Sequence, residues 1–269
     1  MLVLSMDNQE SEINVAIVSG AARGIGRAIT TELADRGWRV VAIDICESIP
    51  LVPYPLSSRE ELQSLSRSNG IETMEIDVRD PKACAKAVEL AESMGRLTAA
   101  IACAGVIIGG EPAWLSAPDS ARILFDINYF GVTNLMQAAL TSMLQNSQDQ
   151  PGRLVAISSA GAKRPLNLLS HYCASKAAVS AYMANLALEL SGTLITANTV
   201  SPGSTATPIL EASAKLYSLA SDDEFRMHHT TKRLISPAEV AKSVLFLLSD
   251  AGSSITGSEL LIDGGLRLT

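Results

Sequence analysis

Seven short apolar runs rich in β-branched residues alternate with segments of helical period, and this alternation restricts the possible folds most. The runs fall near 13–19, 39–44, 71–76, 97–102, 153–158, 194–200 and 258–262. Buried strands separated by amphipathic segments predict an α/β fold, a parallel sheet with crossover helices on both faces. Composition suits such a sheet. Apolar residues make up 47% and aromatics only 4%, so Ala, Leu, Ile and Val must fill the core. Helix signals fall between the runs. One helix opens at Gly24 and stops at Gly37, a second has Asp80 as N-cap with Pro81 behind it, and a third opens with the Ser236–Glu239 capping box.

A chain of 269 residues buries roughly three quarters of its unfolded surface, enough for one large domain. No linker, repeat or low-complexity tract divides it, so 13–269 is expected to be a single doubly wound catalytic domain, with 1–12 a flexible tail. Two connections are longer than a scaffold needs: 45–57, with three prolines, and 204–231. The first is expected to act as an insertion over a cofactor and the second as a substrate lid. A net charge of −7 without a basic stripe argues against nucleic acid and anionic membrane as partners. No run is long enough to span a bilayer, and the first residues lack the regions of a signal peptide. Cys46, Cys84, Cys103 and Cys173 are scattered without a CxxC pair, as in a cytoplasmic protein with reduced thiols. His228 and His229 are adjacent, poor spacing for two ligands on one helix face, and no metal site is expected.

The first strand ends in SGAARGIG. Gly20, Gly24 and Gly26 stand where the chain must turn tightly, approach a pyrophosphate and present free N–H groups at a helix start. Asp44 closes the second strand, 18 residues beyond Gly26. A carboxylate there accepts hydrogen bonds from adenosine ribose hydroxyls and repels a 2′-phosphate, which favours NAD over NADP. Arg23 pulls the other way. Asp77 and Val78, after the third strand, are placed to meet the adenine edge.

Tyr172 and Lys176 sit one helical turn apart in HYCASKAAV, and Ser159 lies thirteen residues before the tyrosine. A phenol titrates near pH ~10, too high for a base acting on an alcohol. An ammonium one turn away on the same face favours the phenolate and lowers that value. Taken singly, Tyr172 can be a core tyrosine, Ser158 or Ser159 a strand-end cap, and Asn128 a helix-interior amide. Their joint spacing beside a glycine turn argues for chemistry.

These motifs, with Ser201-Pro202-Gly203 and the closing ITGSELLIDGG, resemble the short-chain dehydrogenase/reductases from about 13 to 266. The resemblance implies a Rossmann fold with a seven-stranded sheet, NAD-linked oxidation of alcohols or reduction of ketones, and a homotetramer built through helices at 118–146 and 172–190. It implies that Tyr172 is the acid/base group, that Lys176 also holds the nicotinamide ribose, and that Ser159 orients the reacting oxygen. Asn128 would hold a water linking Lys176 to solvent. Gly20, Arg23, Gly24, Ile25, Gly26, Ala104, Gly105, Pro202, Gly203, Thr205 and Thr207 would contact the cofactor. One departure stands out: Cys103-Ala104-Gly105 replaces the family's usual Asn-Ala-Gly, and a bond that braces the sheet is lost with it.

IDICESIPLVPYPLSSREEL looks like the insertion of the mycofactocin-associated, carveol-dehydrogenase-like branch. That likeness implies a loop folded over a slowly exchanging NAD, recycled in place by a mycofactocin-type redox carrier. Segments flanking the site are apolar (Ile107, Ile108, Trp114, Leu166, Leu168, Leu169, Ile209, Leu210, Leu216, Phe225, Met227), which suits a small apolar secondary alcohol or ketone. The alternatives are a 3-oxoacyl-thioester reductase and a catalytically silent NAD-binding sensor. Asp44 and the acidic charge count against the first, and Tyr172 with Lys176 against the second.

Overall fold

The structure is a computed structural model that describes residues 13–146 and 150–269. The expected tail, 1–12, lies outside them. In chain order the elements are β1 (Asn14–Ser19), α1 (Gly24–Ala34), β2 (Arg39–Asp44), α2 (Arg59–Gln63), β3 (Ile71–Glu75), α3 (Pro81–Met94), β4 (Arg96–Ala102), α4 (Pro118–Phe125), α5 (Gly131–Asn146), β5 (Gly152–Ile157), α6 (Ser170–Glu189), β6 (Ile195–Pro202), α7 (Pro208–Leu216), α8 (Pro237–Leu248) and β7 (Glu259–Ile262). All seven strands are parallel, in the order β3-β2-β1-β4-β5-β6-β7.

The strand period of two divides the core. Val15 and Ile17 of β1 face the layer that holds α3, α5 and α6, with Val88, Leu135 and Met183. Ala16 and Val18, one residue out of phase, face Ile29, Leu33, Val244 and Leu247 of α1 and α8. Both faces of the sheet are thus covered, which is why the strands read as unbroken apolar runs. The caps sit where the sequence puts them. Asp80 accepts from the Lys82 N–H at 2.9 Å, and Ser236 exchanges bonds reciprocally with Glu239.

Strand order reverses beside β1: β2 and β3 lie on one side of it, β4 and its successors on the other. The loops leaving β1 and β4 diverge there and open a crevice at the carboxyl edge, the usual ligand position in such sheets.

One expected helix carries an irregularity. The helix read over 118–146 is unbroken but not uniform: α4 runs into α5 through one π turn, Asp126–Phe130. The extra residue of a π turn redirects a side chain that regular helix would aim elsewhere. Here that residue is Asn128, turned fully inward onto the segment after β4.

Candidate active site

The crevice is a cleft of about 650 Å³ that runs from Asp44 and Asp77 at one end to Tyr217 and Phe225 at the other. Its floor at the β1 end depends on missing side chains. A Cβ on Gly26 would lie 2.1 Å from the Gly20 carbonyl oxygen, and one on Gly20 would lie 2.8 Å from the Ala104 backbone. Gly20 also holds a φ of +65°, which disfavours an L side chain. Ser19 Oγ accepts from the Cys103 and Ala104 N–H groups at 3.1 and 3.2 Å. That contact braces the segment where the family's asparagine is missing. Burial pushes the Cys103 thiol up to about 12, with Lys176 pulling weakly the other way.

Asp44 is held firmly. Its carboxylate accepts from the Ala22 N–H at 3.0 Å, the Ile45 N–H at 2.9 Å and the Ser57 hydroxyl at 2.5 Å. Arg23 lines the same end, yet its guanidinium donates to the Pro55 carbonyl at 2.8 Å. Asp77 and Val78 also line the cleft there, and the Asp77 carboxylate carries the fork of Arg79 at 2.6–3.0 Å. Glycines that a Cβ would fill, a helix start at Gly24 and a fixed carboxylate at the end of β2 together fit a dinucleotide.

At the other end β5 delivers Ser159, whose Oγ accepts from the Gly161 N–H at 3.0 Å and whose hydroxyl acts on the neighbouring Tyr172 phenol. Ser158 is used structurally, on the Lys176 carbonyl and on Ser180, both at 2.9 Å. Burial raises the Tyr172 pKa, the Ser159 hydroxyl lowers it, and the neighbouring Cys173 raises it again. Lys176 is buried, its Nζ donates to the Ile157 carbonyl at 2.9 Å, and desolvation pulls its pKa down to about 8. Gly105 lies between the polar groups: a Cβ there would meet Asn128 Oδ1 at 3.2 Å and Lys176 Nζ at 3.3 Å. Asn128 itself clasps Val106, accepting from its N–H at 2.8 Å and donating to its carbonyl at 3.0 Å, and donates to Ser175 at 3.1 Å.

The cleft also collects Ile25, Ala104, Pro202, Gly203, Thr205 and Thr207. Thr205 and Thr207 bond back to Gly203 and Thr205 carbonyls at 3.1 Å, and shape the turn that starts α7. Buried His229 braces that turn from behind. Its Nε2 accepts from the Ser204 N–H at 3.1 Å, so the proton sits on Nδ1, which donates to the Arg233 carbonyl at 2.7 Å.

The apolar cover is smaller than the sequence suggests. Ile107, Leu166, Leu169, Ile209, Leu210 and Phe225 line the cleft, but Trp114 is 83% exposed and Met227 59%. Both sit in segments with the right composition, and only the fold turns them outward. Sequence reasoning missed Tyr54 and Ser57. The Tyr54 hydroxyl accepts from the Ile107 N–H at 2.9 Å, and its ring packs on the Ile107–Leu169–Ala212 cluster. No local signal marks a tyrosine in a proline-rich loop as a contact with a segment 53 residues away. Arg164, Tyr217 and His228 were missed for the same reason.

Comparison with known proteins bears on the family and the fold. The family model described as Enoyl-(Acyl carrier protein) reductase matches residues 20–267. The (−)-trans-carveol dehydrogenase of Rhodococcus erythropolis is 30% identical over 96% of this chain and 98% of its own. The crystal structure of carveol dehydrogenase from Mycobacterium avium in complex with NAD superposes with a TM-score of 0.90 at 32% identity, covering 95% of this chain and 98% of that one. A short-chain dehydrogenase from Mycobacterium paratuberculosis bound to NAD follows at 0.86 and 28%, with the same coverage. With a matched family model over nearly the whole length, a shared seven-stranded sheet and these relatives, the chain belongs to the short-chain dehydrogenase/reductase family of oxidoreductases.

Proposed function

We propose that this oxidoreductase uses NAD, in preference to NADP, to interconvert an apolar secondary alcohol of the carveol class and its ketone. The observation that carries the proposal is the Ser159–Tyr172 pair lining one cleft with Lys176, a glycine turn and a fixed Asp44. Bound along the cleft, a nicotinamide supplies the hydride acceptor for an alcohol or the donor for a ketone. Gly20, Arg23, Gly24, Ile25, Gly26, Asp44, Asp77 and Val78 hold its adenosine half. Ala104, Gly105, Pro202, Gly203, Thr205, Thr207, Tyr172 and Lys176 hold the other. Asp44 disfavours a 2′-phosphate by charge, and Arg23, engaged with Pro55, is not free to offset it.

In the alcohol direction Tyr172 Oη accepts the hydroxyl proton while Ser159 Oγ holds the substrate oxygen. Ser159 Oγ is held by the Gly161 N–H before substrate arrives, so less of the barrier is spent on orientation. Burial and the neighbouring Cys173 oppose forming the phenolate, the Ser159 hydroxyl favours it, and a positive charge on Lys176, one helical turn away, favours it further. Asn128, by clasping Val106, holds the backbone at Gly105, where the missing Cβ leaves room for Lys176. The insertion 45–57 closes over the cofactor. Support comes from its bonds to Asp44, Arg23 and Ile107, which tie it at both ends of the cleft. A cofactor held in that way suits recycling in place by a mycofactocin-type carrier.

The test is Tyr172→Phe. Turnover of a panel of apolar alcohols should fall by roughly 10²–10⁴-fold, while NAD binding measured by calorimetry stays close to wild type. A phenylalanine variant with wild-type kcat overturns the assignment.

A further inference from the structure

The adenosine end of the cleft is short of one acceptor. An adenosine ribose offers two hydroxyl protons, and Asp44, the carboxylate proposed to receive them, is largely spent on the protein itself. A carboxylate has about four lone-pair sites. Asp44 Oδ1 accepts from the Ile45 N–H at 2.9 Å and from the Ser57 hydroxyl at 2.5 Å, and Oδ2 accepts from the Ala22 N–H at 3.0 Å. About one site is left, on Oδ2.

Ser57 can make up the difference. It ends the insertion 45–57, lines the cleft with Asp44 and is only 6% exposed. An ionised carboxylate cannot donate, so in the bond between the two the serine must. Its one proton is then committed, and what Oγ has left is lone pairs. The Cys46 thiol beside it is pushed up to about 11, mainly by burial, and a neutral thiol is too weak a partner to exhaust them. The position of Ser57 is also set from both sides. Two residues earlier the Pro55 carbonyl receives the Arg23 guanidinium at 2.8 Å. One residue later Ser58 caps α2, accepting from the Glu61 N–H at 3.2 Å while its own N–H donates to the Glu61 carboxylate at 2.7 Å. A buried hydroxyl held in place with its proton pinned is a preset acceptor.

We infer that Ser57 is a cofactor-binding residue, whose Oγ accepts from one adenosine ribose hydroxyl while Asp44 accepts from the other. This rests on the NAD reading above and deepens it. A 2′-phosphate, with no proton to give, would face lone pairs on both residues, so Ser57 adds to the preference for NAD. A ribose bonded to Ser57 also fixes the end of the insertion, so the cofactor helps to hold its own cover.

The test reads binding and involves no turnover. Full-length protein freed of bound nucleotide is titrated by calorimetry with NAD and with its 2′-deoxyadenosine and 3′-deoxyadenosine analogues. Wild type, Ser57→Ala and Ser57→Gly are compared, with thermal denaturation to confirm folding. Loss of the hydroxyl should weaken NAD about fivefold, the worth of one neutral hydrogen bond. For one of the two analogues the same substitution should change affinity by less than about twofold, because the hydroxyl that Ser57 receives is already missing. If the substitutions weaken NAD and both analogues by the same factor, the serine only ties the insertion to Asp44 and the inference is overturned. Unchanged NAD affinity in the variants overturns it as well. Wild-type protein that loses no affinity when either ribose hydroxyl is removed overturns it without any variant. A wild type that binds no NAD sinks the cofactor reading itself, whereas NAD binding with equal losses sinks the role of Ser57 alone.

Discussion

Lys176 carries a conflict between stability and chemistry. Its ammonium is wanted beside Tyr172, yet the site that places it there is dry enough to pull its pKa down to about 8 from an ordinary 10.5. Between those values the unfolded chain binds more protons than the native one, so this residue's contribution to stability rises with pH across that window. Below about 8 the native state bears the full cost of a buried ammonium, relieved only by the Ile157 carbonyl. Lys176→Met should therefore lose turnover and gain stability, by roughly 1–3 kcal/mol near neutral pH. That gain should dwindle as the pH climbs from about 8 to about 10.5. Urea denaturation of both proteins across this range checks it, and a methionine variant less stable than wild type near neutrality contradicts it.

At the scale of elements, the insertion 45–57 is the least regular part of the site and the most tied to it. It has no repeating backbone bonds of its own, so its conformation rests on side chains. Ser57 bonds Asp44, Pro55 receives Arg23 and Tyr54 receives the Ile107 N–H, while Ile49 packs with Val106, Leu124 and Ile127. Prolines 50, 53 and 55 lower the entropy lost on holding it closed. Replacing 46–56 by a short Gly/Ser turn removes the bonds of Tyr54 and Pro55, each worth ~1 kcal/mol. NAD release, followed by stopped-flow displacement, should then quicken by roughly tenfold or more, while a single turnover of bound NAD persists. Equal release rates in the two proteins mean that the loop is not a cover.

For the whole molecule, the face made by α4, the π turn, α5 and α6 ends in aromatics. Tyr129 makes edge contacts with Phe125, Phe130 and Tyr182 at 6.3, 5.1 and 6.1 Å, and Phe130 is 51% exposed. These are the helices through which the family resemblance implies assembly. Burying one phenylalanine is worth ~1.5–3 kcal/mol, repeated in each copy. Light scattering should give the mass of four chains, and Phe130→Asp should split the assembly while leaving the far-ultraviolet dichroism unchanged. A monomeric wild-type protein at micromolar concentration contradicts this prediction. Among the described residues no helix is long and apolar enough to cross a membrane.

The seven strands, the caps of α3 and α8 and the glycine turn are legible along the chain, and so is the spacing of the proposed Ser159, Tyr172 and Lys176 set. Each is written in local chemistry: a period of two, a capping side chain, a glycine where no Cβ fits, or a spacing of one helical turn. Tertiary structure alone decided the rest. It put a π turn into the 118–146 helix, where the Asn128 amide reaches Val106 across the layer. It turned Trp114 and Met227 outward although their neighbours line the cleft. It engaged Arg23 with Pro55 rather than leaving it free for a phosphate, and it brought Tyr54 and Arg164 to the site from loops that carry no pattern. The common physical reason is that an irregular connection has no periodicity to read. Where its side chains land is fixed by the elements they meet in space, and those meetings have no signature along the chain.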